Sequence, residues 1–103
     1  MNDDLLRRAK VLYGRLAGAV AENDSAEIAA VESLFRARDE QIAKWGDRDK
    51  GKHPIVWMAL LFEEIGECSR AWLARDGDQL RGEVAQVTAL GLAWLAALIG
   101  EGE

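Results

Sequence analysis

Five oxygen-bearing side chains stand in two short segments of this chain. Glu63, Glu64 and Glu67 lie in FEEIGE, and Glu83 lies in RGEVAQ with Gln86 three residues on. If both segments are helical, Glu63 and Glu67 are one turn apart, as are Glu64 and Glu67, and Glu83 with Gln86 repeats that spacing on a second helix. Four carboxylates and one amide can then converge from two facing helices. All are hard oxygen donors of the kind that suits Mg²⁺, or Mn²⁺ in its place. Their surroundings sharpen the reading. Val56, Leu60 and Ala71 continue the acidic face of the first segment, and Leu80, Val87, Leu90 and Trp94 share a face with Glu83. Carboxylates inside an apolar stripe carry a desolvation cost and repel one another. A divalent cation relieves both. The plainer reading is a solvated acidic helix face.

The elements that must position these groups are helical. Pro54 is the only proline, and turn clusters are few. Leu5, Ala9, Leu12, Leu16 and Val20 recur at spacings of three and four, which predicts a first amphipathic helix. Gly14 and Gly18 weaken it by roughly 1 kcal/mol each relative to Ala, or else allow another helix to approach closely. Asn23, Asp24 and Ser25 break the pattern, and Asp24 with Glu27 suggests a capping box. A second helix is expected from about Ala26 to Trp45, with Val31, Leu34, Phe35, Ile42 and Trp45 as its apolar stripe and Gly46 as its stop. After the charged loop Asp47 to His53, Pro54 suits the first turn of a third helix reaching about Ala74. Arg75 to Asp78 read as a tight turn, and a fourth helix is expected from about Gln79 to Ile99.

Between Val84 and Ile99 only Gln86 and Thr88 are polar. A helix apolar on all sides must be covered all round, which one small chain can hardly do. The expectation is therefore an all-α bundle of about four helices, one domain over residues 1–103, completed by dimerisation. A two-fold homodimer is the simplest solution, with a tetramer of stacked dimers as a further form.

Composition narrows the function. A net charge of −5 argues against binding a nucleic-acid backbone. The single Cys68 precludes an intrachain disulfide and suits a reducing compartment; it reads as a small buried residue. MNDDLLRRAK lacks the pattern of a signal peptide, and the apolar run from Ala89 to Ile99 alone is too short for a bilayer. A cytoplasmic protein without membrane attachment is expected. There is no Gly-rich phosphate loop and no nucleophile beside a base.

EExxE, a spacer, and an ExxD-like element resembles the signature of the MazG-like all-α nucleoside triphosphate pyrophosphohydrolases. ARDEQIAKWG, HPIVWMALLFEEIGE and LRGEVAQVTALGLAWLAAL are similar to the small phage- and integron-type members, and the likeness extends over residues 36–98. It implies Mg²⁺-dependent hydrolysis of a nucleoside triphosphate, a deoxynucleotide in particular, to the monophosphate and pyrophosphate. Glu64, Glu67 and Glu83 would ligate the metal and Glu63 would serve as general base or second-metal ligand. The chain departs from the family at Gln86, which stands where the pattern has Asp; an amide oxygen ligates without charge, so Gln86 would be a weaker ligand.

Other residues have candidate roles beside structural ones. Lys44 could meet phosphate oxygens and Trp45 could stack on a base, although Trp45 also ends the apolar stripe. Arg38 and Gln41 are possible substrate contacts, and Arg38 could instead pair with a carboxylate. Arg48, Lys50 and Lys52 form a basic loop suited to a triphosphate tail or simply solvated. His53 reads as a cap or loop anchor, and Trp57, Trp72 and Trp94 as packing residues.

Overall fold

The computed structural model describes residues 3–46 and 52–101, so Arg48 and Lys50 lie outside the described residues. Those residues form four α-helices and no strand: α1 (Asp3–Ala21), α2 (Ser25–Trp45), α3 (Pro54–Leu73) and α4 (Gly77–Glu101). The chain divides into two compact units, Met1–Glu32 and Ser33–Glu103, with the boundary inside α2.

In the first unit, α1 ends where Asn23 takes a left-handed φ of 57° and the amide of Asp24 returns to the carbonyl of Ala19 at 2.8 Å. Asp24 then caps α2, its Oδ1 accepting from the Glu27 amide at 3.1 Å. Only this half of the expected capping box forms. The Glu27 carboxylate turns to Arg15 instead, accepting from Nη2 at 2.6 Å and Nε at 3.0 Å. Leu5, Leu12, Leu16 and Val20, the predicted apolar stripe of α1, are exposed, and Ala19 is the buried residue of that helix. Nothing comes within 4 Å of a Cβ built on Gly14 or Gly18, so neither glycine marks a close helix approach.

In the second unit, α3 and α4 fold back on each other as a helical hairpin. His53 caps α3, its Nδ1 accepting from the Ile55 amide at 3.2 Å, and Pro54 follows in the first turn. That is the capping role its position suggests. Arg75 supplies the left-handed residue after α3 with φ 59°. Asp76 accepts from the Gln79 amide at 3.0 Å. This cap starts α4 at Gly77, two residues earlier than the turn-like composition of the segment suggests.

The hairpin seam is written in both sequences. Along α3 the positions Trp57, Leu61, Glu64, Cys68 and Ala71 follow the three-and-four spacing of one face. Along α4, Glu83, Gln86, Leu90, Ala93 and Ala97 do the same. Trp57, Leu90, Ala93 and Ala97 are the buried cluster, with Trp45, Leu60, Leu61 and Trp94 packed against it. Trp57 and Trp94 stack with ring centroids 6.2 Å apart and planes 6° from parallel. Trp72 is 60% exposed; it lies under the Arg75 guanidinium, 5.6 Å from the ring centroid, instead of packing in the core as expected. The buried face of α2 is rotated from the predicted stripe. Ala37 and Gln41 are buried while Phe35 and Ile42 are exposed.

Much apolar surface of α4 also remains open, including Leu92, Leu95, Leu98 and Ile99. By length and composition alone Gly77–Gly100 is sufficient to cross a membrane, a test that core helices of soluble proteins also pass.

Candidate functional site

Glu64 and Glu83 occupy the same seam that buries Trp57 and Leu90, a few turns closer to the hairpin turn. At this level the apolar packing gives way to the carboxyl groups of Glu64 and Glu83, which stand close enough for Glu83 to act on Glu64. Burial pushes the Glu64 carboxyl up from its usual 4.5 to about 7; the bond to Glu83, the charge of Glu83 and the charges of Glu63 and Glu67 add to this. Cys68 is raised in the same way, first by burial and then by Glu83 and Glu64. It is a half-buried thiol without the electropositive setting that makes a thiolate reactive.

This acidic pair opens onto a cleft of about 380 Å³ lined by Glu63, Glu64, Glu67, Glu83 and Gln86 from the hairpin and by Glu40, Gln41, Lys44 and Trp45 from α2. Its side chains are set by three helices for different local reasons. Glu63 is the exposed member of the acidic run, and Glu67 is half-buried. The Glu67 carboxylate is engaged by Arg70 one turn on, through Nη2. Gln41 is 2% exposed. Its Nε2 donates to the backbone carbonyl of Gln86 at 3.1 Å and to Gln86 Oε1 at 2.9 Å. Gln86 in turn donates through Nε2 to Glu40 Oε2 at 3.0 Å. The Lys44 ammonium lies 5.2 Å from the Trp45 ring centroid. Lys52 lies over both Trp45, at 5.7 Å, and Trp57, at 4.8 Å. Cations at these distances from indole faces are favourably placed.

Glu63, Glu64, Glu67, Glu83, Gln86, Gln41, Lys44 and Trp45 therefore line one cleft as the sequence suggested, and Arg38 and Lys52 do not. Arg38 is half-buried on α2. Glu40 was not among the candidates. The signal that could have found it is its spacing: it stands four residues before Lys44, one turn away on the same side of α2.

The donor set is chemically suited to a hard divalent cation. Burial and neighbouring carboxylates disfavour the charged form of Glu64, and a bound cation would relieve the same penalty. Among the described residues, however, no three acidic, His or Cys side chains stand together as a ready ligand group. Glu67 would have to turn from Arg70 to join the pair, a rotation its half-exposed side chain allows.

Compared with protein-family models, with curated proteins and with solved structures, the chain matches none of them.

Proposed function

We propose that the cleft between α2 and the α3–α4 hairpin is the active site of a Mg²⁺-dependent nucleoside triphosphate pyrophosphohydrolase of the MazG-like kind. It would convert a (d)NTP to the (d)NMP and pyrophosphate, clearing surplus or non-standard nucleotides from the cytoplasm. The observation that carries this reading is the Glu64–Glu83 carboxyl pair, half-buried across the hairpin seam and open to a cleft that also contains Glu63, Glu67, Lys44 and Trp45. A stable fold has little reason to place this much acid in a packed seam unless something positive is bound there.

In this reading Glu64, Glu67 and Glu83 hold the cation, Mg²⁺ or Mn²⁺ in its place. When bound, the cation supplies neutralisation of phosphate charge and Lewis acidity. Glu63 takes the proton from the attacking water as general base. Lys44 meets the oxygens of the triphosphate, and Trp45 offers its ring face to the base. Gln41 and Gln86 shape the wall between α2 and α4.

The working unit is a homodimer. Leu92, Leu95, Leu98 and Ile99 are exposed on a helix that carries no charge between Val84 and Ile99. An uncharged face of this length suits a second copy of the same face related by a two-fold axis. Two dimers could stack as a tetramer.

The test is pyrophosphate release from a panel of NTPs and dNTPs, dUTP and oxidised bases included, with and without Mg²⁺. Mg²⁺-dependent release that is lost in Glu64→Ala and Glu67→Ala is the expected result. No release from any nucleotide by a folded protein would leave a non-catalytic relative that binds nucleotide or metal. If Mg²⁺ also leaves the melting temperature unchanged, a structural helical dimer remains.

A further inference from the structure

We infer that Gln41 reads the nucleobase: its side-chain oxygen takes a hydrogen bond from an exocyclic amino group, so the cleft favours cytosine and adenine over the keto bases that match them in shape. This rests on the nucleotide reading above and adds a base preference to it.

The observation is an acceptor with nothing to accept. Gln41 is 2% exposed and lines the cleft. Its Oε1 is buried and has no donor among the described residues. A buried acceptor left unpaired is costly, and a native fold keeps one only for a reason. Turning the amide over does not remove the cost. Nε2 donates to the backbone carbonyl of Gln86 at 3.1 Å and to Gln86 Oε1 at 2.9 Å. A carbonyl only accepts, so a reversed Gln41 would set oxygen against oxygen. The ammonium of Lys44, three residues on, does not serve the oxygen either; it lies against the Trp45 ring at 5.2 Å.

The hold on the NH₂ decides what the oxygen can recognise. A glutamine free to rotate meets a donor or an acceptor equally well, by presenting one end of its amide or the other. Gln41 has no such choice and offers an acceptor alone, so the matching atom of a ligand must carry hydrogen. Ionised phosphate oxygens carry none, which sets Gln41 against the nucleoside part of the substrate. Trp45 stands one turn further along α2 and lines the same cleft. An aromatic face beside a directed polar group is a means of holding a base and reading its edge. An amino group at that edge donates to Gln41 Oε1. A keto oxygen in the same place meets another oxygen, and Gln41 cannot turn to relieve the mismatch. Selectivity then comes from what the site repels as well as from what it attracts. The oxygen lies behind the cleft surface, so the amino group reaches it by displacing a lining side chain. Glu40 and Lys44, one residue before Gln41 and three after it, line the cleft and are exposed, and either can give way.

The experiment compares matched deoxynucleotides, dCTP with dUTP and dATP with dITP, which exchange an amino group for a keto oxygen at one ring position. Pyrophosphate release in Mg²⁺ is followed on the full chain for wild type and Gln41→Met, with far-ultraviolet circular dichroism to check the fold. Wild type should favour the amino member of each pair by about 10-fold in kcat/KM, the scale of one hydrogen bond made or refused. Methionine has a similar length and no amide, so Gln41→Met should level the two members of each pair. A third pyrimidine frees the test from the variant. The pyrimidin-2-one deoxynucleoside triphosphate carries a plain C–H where cytosine has its amino group, and on wild type it should rank between dCTP and dUTP. If Gln41→Met does not fold, that ranking decides. Equal rates within both pairs on wild type, a preference for the keto members, or an amino preference that survives Gln41→Met overturns the inference and leaves pyrophosphate release standing. A folded wild type that releases pyrophosphate from none of these nucleotides overturns the nucleotide reading, and this inference with it.

Discussion

Glu64 is the point at which pH and divalent cation should act on the same group. Its carboxyl is raised from 4.5 to about 7 by burial first, then by the hydrogen bond and charge of Glu83, with Glu63 and Glu67 adding their charge. The folded protein therefore binds this proton more tightly than the unfolded chain does. Between pH 4.5 and about 7 the folded state holds more protons, so stability falls as pH rises through that window and levels off above it. Taken at face value the rise corresponds to about 3 kcal/mol. Glu64 is only half-buried at an open cleft, and solvent screening reduces the effect to about 1 kcal/mol. In a domain of this size that is a fall in melting temperature of roughly 4–8 °C.

The assay is a series of thermal melts from pH 4.5 to 8 in EDTA, comparing wild type with Glu64→Gln. The variant keeps the shape and removes the titration, so the difference between the two curves isolates Glu64 from the other carboxylates. Glu64→Gln should gain on wild type steadily as pH rises. Added Mg²⁺ should act in the opposite sense. At a concentration ten times its dissociation constant it stabilises the folded state by about 1.4 kcal/mol. The gain should be larger at pH 8 than at pH 5, because proton and cation compete for one carboxylate pair. Parallel pH curves for the two proteins would refute the claim that Glu64 is strained in the cation-free state. A Mg²⁺ shift of equal size in Glu64→Gln would refute its place in the cation site.

Two further outcomes follow from the packing. Trp57 is 1% exposed and stacked on Trp94, so Trp57→Ala should cost about 3–5 kcal/mol by urea denaturation; a cost below that of a surface substitution would mean the seam does not anchor the hairpin. If α4 forms the proposed homodimer interface, Leu95→Glu combined with Leu98→Glu should lower the sedimentation coefficient from that of a dimer to that of a monomer while leaving helix content intact, since both side chains are exposed in the single chain; a wild type that already sediments as a monomer, or a variant that sediments as wild type does, would refute that interface.

The helices were legible because their ends are marked locally. Pro54 with His53 before it, Asp24 after α1 and Gly46 with φ +76° after α2 are each set by a few neighbouring atoms. What sequence periodicity does not fix is which side of an amphipathic helix turns inward when two sides are available. Phe35 and Ile42 belong to a plausible apolar stripe, yet the buried side of α2 in this chain is that of Ala37 and Gln41. Those two stripe residues remain exposed, and Gln41 on the small and polar side meets Gln86 of α4. Arg75 shows a related limit: Gly77 and two aspartates suggest a turn, whereas a left-handed Arg75 lets Asp76 cap the next helix at once.

The acidic site divides along the same line. Glu64 and Glu83 follow the helical period of the residues that pack around them, so their meeting across the hairpin can be read from spacing once the two segments are taken as facing helices. Gln86 cannot be read this way. Set against a pattern with a carboxylate at that position, it looks like a lost charge. Gln86 and Glu40 lie on different helices, 46 residues apart in the chain, and no periodic signal connects them. What connects them is a donor–acceptor order that runs from Gln41 through Gln86 to Glu40. An amide in that chain has a direction, and the direction decides whether position 86 offers a cation an oxygen or offers a carboxylate two hydrogens. In this chain position 86 offers its hydrogens to Glu40, a pairing that no spacing along α4 announces.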